Sequence, residues 1–207
     1  MTTTVARVLR VAVAVLIVAA VAATWAEAAS RVTVNPFNLL GYFTIQSNLV
    51  LAAAYLLSVL LAGRLSPETN TLLRAAATTY IVIVGLVYAT LLAPLGAAGG
   101  VPVAWANAAL HIVTPIYGLL DWILFRDRVR LPYSRLWVVL VYPVVWLVVV
   151  LIRGATDGWV PYPFLDPKTG YGPVGFYVVA ITVVFVLFGL LVFWVSRFRG
   201  RRPEVVL

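Results

Sequence analysis

The sequence predicts an all-α polytopic membrane protein, with six transmembrane helices in one domain over residues 1–207 and both termini in the cytoplasm. Of the 207 residues, 63% are hydrophobic and only 11% are charged, and the mean hydropathy is +1.04. A soluble domain averages about 45–50% apolar and about 25% charged residues. The chain has no Cys and one His, which leaves no thiolate nucleophile and no Cys or multi-His metal site. We therefore expect neither a metal nor a cofactor.

Six apolar runs are each close to the roughly 20 residues that span a bilayer as a helix. The first run follows Arg7 and Arg10. Although Ala26-Glu27-Ala28 fits a small-x-small cleavage site, the length of the run favours a spanning helix. The fifth run is the shortest, and the outer segment after it, 153–174, is rich in Gly, Pro and aromatic residues. The predicted spans are 8–28, 41–62, 73–93, 103–125, 136–152 and 175–196.

The basic residues give the orientation. With the N-terminus inside, twelve of the fifteen Arg and Lys residues fall on the cytoplasmic side, and Arg31, Arg153 and Lys168 fall outside. This asymmetry is typical of cytoplasmic segments. We attribute the positive charge to anionic lipid headgroups at the ends of the spans, so no nucleic acid partner is expected. The excess of Arg over Lys, with many Ala and Val, suggests the plasma membrane of a GC-rich bacterium.

Two polar stripes run along predicted spans. The stripe on the fourth span has spacings of four, three, four and three residues, which puts its members on one face of a helix. Lipid would leave polar atoms without partners, so we expect the two stripes to face each other inside the bundle. The longer stripe is Asn107, His111, Thr114, Gly118 and Asp121, and the shorter stripe is Gly41, Thr44 and Asn48.

Thr44 and His111 are predicted at similar depths. They lie three and eight residues after the predicted starts of their spans, or roughly 5 and 12 Å into the outer half of the membrane. Pro115 has no N–H and deprives the His111 carbonyl of its helical partner, which predicts a kink or a cross-helix hydrogen bond at that turn. Asp121 is about 15 Å from His111 along the helix, too far for a catalytic triad. We expect it to pair with a cytoplasmic-side arginine or to close a helix contact.

Three clusters resemble a known family. They are Phe43-Thr44, then Asn107-x-x-x-His111 with Pro115, and Trp159-x-x-Tyr162-Pro163-Phe164-Leu165-Asp166. On these clusters the chain resembles the androgen-induced and androgen-dependent transmembrane proteins and their prokaryotic six-helix relatives. The resemblance implies a multi-pass threonine hydrolase that cleaves fatty acid esters of hydroxy fatty acids. It also implies that Thr44 and His111 are the required threonine and histidine.

The chemistry expected from this resemblance is acyl transfer to Thr44. His111 takes the proton of Thr44, because an unassisted hydroxyl is a weak nucleophile. Asn48 or Asn107 either donates to the developing oxyanion or orients the imidazole. The outer loop is either an interfacial aromatic belt or a lid over the site. The lid candidates are Trp159, Tyr162, Phe164 and Asp166.

Two other functional classes stay open. In a non-catalytic lipid-binding or scaffolding protein, Thr44 and His111 only hydrogen-bond across helices, and Thr44→Ser or His111→Gln keeps the function. In a small transporter, His111 and Asp121 are relay points, but few other polar residues occupy the inner half of that helix. The partners expected in every case are membrane lipids. An oligomeric state is not predicted.

Overall fold

The computed structural model describes residues 3–199, and this part of the chain forms helices and no β-strand. Five of its helices are long and apolar enough to cross a membrane, and they contain α1, α3, α4, α7 and α8. The predicted all-α membrane class is thereby confirmed. The α-helices of the described residues are α1 Thr3–Arg31, α2 Pro36–Leu39, α3 Phe43–Leu60, α4 Pro67–Val87, α5 Ala104–Ala108, α6 Thr114–Leu124, α7 Trp137–Thr156 and α8 Tyr171–Arg199.

The fourth predicted span, 103–125, is helical but not one regular α-helix. A π-helical turn, Ala109–Val113, joins α5 to α6. This stretch is not among the five helices that are long and apolar enough to cross a membrane. A second π-turn, Tyr88–Leu92, extends α4.

The helices on both sides of the outer loop are longer than the predicted fifth and sixth spans. Helix α7 continues through Arg153 to Thr156, and α8 begins at Tyr171, so the loop between them is 157–170 rather than 153–174. The charge of Arg153 does not end the helix, because a cation in the last turn is favourable beside the helix dipole. Its guanidinium also bonds the Asp157 carboxylate at 2.7 Å and the Asn38 side chain at 2.7 Å.

Helix α4 lies at the centre of the packing, in contact with α3, α6 and α8, while α1 packs on α3. Glycine allows α4 and α6 to approach closely, as small residues do between membrane helices. A Cβ on Gly118 would lie 2.7 Å from the Ile81 side chain, and one on Gly85 would lie 2.6 Å from Pro115. Helix α7 instead turns exposed valines outward, including Val144 and Val145, as expected of a lipid-facing helix.

The bundle has two polar ends. The arginine end carries Arg10, Arg74, Asp121 and Asp127, and the loop end carries Thr44, His111 and the loop 157–170.

The structure corrects the interpretation of charge at the arginine end. Arg10 and Arg74 are 2% and 1% exposed, so they do not reach lipid headgroups. Arg10 Nε donates to Asp121 Oδ1 at 2.8 Å, and Arg10 and Arg74 both donate to Asp127 Oδ1 at 3.0 Å. Buried charges need such partners, since desolvation is costly. The predicted pairing of Asp121 with an arginine is therefore confirmed.

Two further basic residues bear on the same interpretation. Arg128 is also buried, at 1% exposure, so it too lies away from the headgroups. Arg201 and Arg202, which contributed to the predicted charge asymmetry, lie outside the described residues.

Candidate functional site

A cavity of about 170 Å³ at the loop end is lined by both Thr44 and His111. Thr44 comes from the first turn of α3, and His111 comes from the π-turn between α5 and α6. The remaining wall includes Thr24 of α1, the segment 99–102 and the segment 161–163 of the loop. Thr44 is 6% and His111 is 5% exposed. The two predicted residues therefore line one cavity.

Thr44 contacts the loop through Tyr162. Since Thr44 is the second residue of α3, its backbone N–H has no partner within the helix. This N–H donates to the Tyr162 hydroxyl at 3.2 Å, and Thr44 Oγ1 lies 3.3 Å from the same hydroxyl oxygen. Burial raises the pKa of Tyr162 to about 12, so the phenol stays protonated near neutral pH and has a hydrogen to donate.

His111 is fixed by two contacts. Its Nδ1 lies 3.2 Å from the Asn107 carbonyl oxygen, and its ring stacks on Tyr88 with centroids 4.3 Å apart. A carbonyl only accepts hydrogen bonds, so Nδ1 carries the proton of the neutral ring and Nε2 keeps its lone pair. Tyr88 belongs to the other π-turn. The two π-turns thus meet at the histidine, and such turns are frequent at functional sites.

Asn107 supports both His111 and its stacking partner. Its side-chain amide donates to the Tyr88 hydroxyl at 2.8 Å, and its Oδ1 accepts from the Val101 N–H at 3.1 Å. A Cβ on Gly100 would lie 2.6 Å from this Oδ1, so glycine is needed for the close approach. These contacts match the orienting role, one of the two predicted for Asn107.

Asn48 joins α3 to the π-turn. Its amide nitrogen donates to the carbonyls of Thr44 at 2.9 Å and Leu110 at 3.1 Å, and its Oδ1 accepts from the Thr114 hydroxyl at 2.7 Å. Both amide hydrogens are used, since an amide nitrogen has two. Asn48 therefore has no amide hydrogen left for an oxyanion, and it bonds the Leu110 backbone rather than the imidazole of His111.

The contacts of Asn48 bear on the kink or cross-helix hydrogen bond that Pro115 predicts at the His111 turn. In a π-turn, each carbonyl bonds the N–H five residues later, as the Ala109 carbonyl bonds the Thr114 N–H. The corresponding partner of the Leu110 carbonyl would be Pro115, which has no N–H. The expected cross-helix hydrogen bond is therefore present, but it satisfies Leu110 rather than His111.

The other lid candidates differ in how they contact the site, and only Phe164 packs directly on Tyr162. Phe164 stacks on Tyr162 with centroids 5.3 Å apart, and Trp159 meets Tyr42 edge-on at 5.9 Å. Asp166 does not pack on Tyr162. Its carboxylate accepts a hydrogen bond from the Lys168 N–H at 2.9 Å and caps a short turn. The aromatic residues cover the loop end, and Asp166 stabilises the loop itself.

A second cavity, of about 90 Å³, lies between α4, α7 and α8, and its lining is mostly aliphatic and aromatic. Thr44, Tyr162 and Leu92 line both cavities. Thr44 is therefore at the boundary between a cavity that contains His111 and an apolar cavity.

The structure brings Thr44 and His111 to one cavity but does not pair them directly. Among residues 3–199, no hydrogen bond joins their side chains, and the hydroxyl of Thr44 contacts Tyr162 instead. Catalytic hydrogen bonds are often long before substrate binds. Sequence reasoning named Tyr162 only as a lid residue and missed Tyr88. The one signal for Tyr88 was a polar tip near the end of a predicted span.

Comparison of the chain with protein-family models, with curated proteins and with solved structures found no match in any of the three. The resemblance to the androgen-induced and androgen-dependent proteins rests on the sequence motifs alone.

Proposed function

We propose that the protein is an intramembrane lipid ester hydrolase with Thr44 as nucleophile and His111 as general base. Its substrates are fatty acid esters of hydroxy fatty acids or similar amphiphilic esters. The observation that carries the proposal is the shared cavity, lined by Thr44 from one helix and His111 from another. A buried hydroxyl beside an imidazole with a free Nε2 is the arrangement that activates a weak nucleophile.

The proposed topology has six spans in a bacterial plasma membrane, with both termini in the cytoplasm. Besides the five long helices, the proposal counts the fourth predicted span, the stretch from Ala104 to Leu124, which has 21 residues. At helical rise it is about 31 Å long, and the hydrocarbon core of a bilayer is about 30 Å thick. The site then opens in the outer half, where an amphiphilic ester resides.

The reaction proceeds in two acyl transfers. His111 Nε2 accepts the Thr44 proton as Oγ1 attacks the ester carbonyl, and the tetrahedral intermediate expels the alcohol, which takes that proton from His111. Water then loses a proton to His111 and attacks the acyl-threonine. Collapse releases the fatty acid and returns the proton to Thr44. The net reaction converts ester and water into acid and alcohol.

Tyr162 is the proposed oxyanion donor. Its hydroxyl accepts from the Thr44 N–H, so its own hydrogen remains for the oxygen that becomes negative next to Thr44 Oγ1. A neutral phenol placed in advance stabilises such charge more in a dry site than in water. Asn107 orients His111, and Asn48 holds the backbone of Thr44.

One observation favours a second candidate, a non-catalytic lipid-binding protein. The Thr44 hydroxyl contacts Tyr162 rather than His111, as it would if both residues served only to join helices. That function predicts that Thr44→Ser and His111→Gln bind lipid as well as the native protein.

The test is hydrolysis of a branched fatty acid ester by detergent-purified protein, with fluorophosphonate labelling of the same samples. Thr44→Ala and His111→Ala should lose both signals while remaining folded. The matched control is Thr24→Ala, because Thr24 lines the same cavity but its hydroxyl bonds its own helix at Ala20. Control activity should equal that of the native protein. Inert native protein, or an active Thr44→Ala, would overturn the proposal.

A further inference from the structure

We propose that the apolar cavity beside Thr44 holds the acyl chain of the ester, and that this chain enters from the membrane between α7 and α8. The inference rests on the proposed function and deepens it, because it assigns the two arms of the substrate to two different cavities.

The lining of the apolar cavity suits a hydrocarbon chain. Three helices contribute to it, with Val84 from α4, Leu147 from α7, and Val178, Ile181 and Phe185 from α8. Such a lining is as apolar as lipid tails, so it holds a hydrocarbon chain without exposing the chain to water. The cavity reaches Thr44 and Tyr162, so a chain lying in it has its carboxyl end at the nucleophile.

The position of His111 decides which arm of the ester lies on which side. The leaving alcohol oxygen must receive a proton from His111, so the alcohol arm has to lie in the cavity that His111 lines. The acyl arm stays bonded to Thr44 Oγ1 after the alcohol has left. It therefore occupies the other cavity that meets Thr44, and this is the apolar one.

An opening to the membrane lies at the wall formed by α7 and α8. Val144 lines the apolar cavity and yet is 53% exposed, and Thr182 of α8 is also both exposed and part of the lining. The neighbouring exposed residues on α7 are valines. A cavity that reaches this lipid-facing surface admits a chain sideways, without passage through water.

The depth of the cavity predicts selection by chain length. Its lining on α8 runs from Val178 to Phe185, and on α7 from Leu140 to Leu147. Seven residues of helix rise about 10 Å. A side chain that projects into this depth should penalise long acyl chains more than short ones.

The experiment compares two neighbouring valines of α8. Val178 lines the cavity, whereas Val179 is 63% exposed on the lipid-facing surface. We measure kcat/KM for p-nitrophenyl butanoate and p-nitrophenyl hexadecanoate with Val178→Phe and Val179→Phe. The ratio of long-chain to short-chain activity should fall about tenfold in Val178→Phe, as expected when a hydrophobic pocket loses space. It should stay at the native value in Val179→Phe. Equal ratios in both variants would overturn the inference and leave the hydrolase standing.

A second measurement does not depend on activity. A fatty acid with a terminal diazirine is photo-crosslinked to native protein, Val178→Phe and Val179→Phe, and the adducts are mapped by mass spectrometry. The inference expects adducts on the cavity-facing residues of α7 and α8, lost in Val178→Phe and kept in Val179→Phe. Adducts spread over the exposed valines in all three samples would overturn it. If native protein hydrolyses no ester but the cavity adducts appear, only the hydrolase proposal fails.

Discussion

The two ends of the bundle treat buried polar groups in opposite ways. At the arginine end, Arg10 and Arg74 share the carboxylates of Asp121 and Asp127 in a closely bonded cluster of four charges. At the loop end, neutral polar groups surround a cavity of about 170 Å³. Polar groups inside a membrane are costly, so they persist where they stabilise or where they act. The comparison indicates that the arginine end holds the helices together, whereas polar groups at the loop end face an open cavity.

The largest expected effect comes from breaking the arginine end. Asp121→Ala leaves Arg10 buried with fewer partners, and removing one member of a buried ion pair costs about 3–5 kcal/mol. Thermal unfolding in detergent should show this loss. The control is Glu27→Ala, which removes a half-buried partner of the exposed Arg31 and should change stability little. Equal effects of the two substitutions would contradict the comparison.

At the loop end, Tyr162→Phe should affect catalysis more than stability. Loss of an oxyanion donor lowers kcat by about 100-fold, whereas the lost hydrogen bond costs about 1 kcal/mol of unfolding free energy. Both quantities are measured on the same purified variant. Tyr171→Phe, at an exposed position of α8, should leave both unchanged. A Tyr162→Phe protein with native kcat would remove Tyr162 from the mechanism.

Between the two ends, Gly118→Ala tests the close approach of α4 and α6. The added Cβ would lie 2.7 Å from the Ile81 side chain, and such overpacking costs about 1–3 kcal/mol. A Cβ added at Gly175 of α8 would instead enter open space. Gly175→Ala should therefore stabilise the helix by about 0.5–1 kcal/mol. Chemical unfolding of both variants measures the difference, and a shift of the same sign in both would contradict the packing argument.

The smallest effect is a pH dependence at the arginine end. Burial opposes ionisation of Asp127, but hydrogen bonds from Arg10 and the charge of Arg74 outweigh it and lower the pKa of this carboxyl. A lowered folded-state pKa stabilises the protein above the unfolded value of about 3.9, and this stability is lost as pH falls from there through the folded pKa. Unfolding measured from pH 7 to pH 3 should show the loss below about pH 4. Asp127→Asn should weaken that slope, and an unchanged slope would contradict the assignment.

The residues that face the polar interior were predictable where helical spacing puts polar side chains on one face and the membrane excludes that face from lipid. The inward face of Thr114, Gly118 and Asp121 follows from spacing, because lipid offers polar atoms no partner. The arginine partner of Asp121 was predictable because Asp121 lies about 15 Å from His111 along the helix, near the basic cytoplasmic side. Thr44 and His111 were placed at similar depths by the same counting.

The remaining features depend on contacts between elements that spacing does not encode. Arg10 lies at the edge of an apolar run, where an arginine is ordinarily expected at headgroups. Its burial is explained only by Asp121 of α6 and by Asp127 in the segment after that helix. Tyr162 reaches Thr44 because the loop folds back over α3. Asn48 bonds the carbonyl of Leu110 rather than that of His111 because of a π-turn, which an α-helical repeat does not reveal.

The π-turn at Ala109–Val113 also sets the rotational phase between the two ends of the molecule. A π-turn accommodates one residue more than an α-helical turn, and one residue of an α-helix corresponds to about 100° of rotation. Shortening this turn by one residue would restore a regular helix and rotate α5 about its axis relative to α6. Asn107 would then swing away from Tyr88, while Asp121 kept its place beside Arg10. The length of this one turn thus sets the rotation of α5 relative to α6, and with it the direction in which the histidine points.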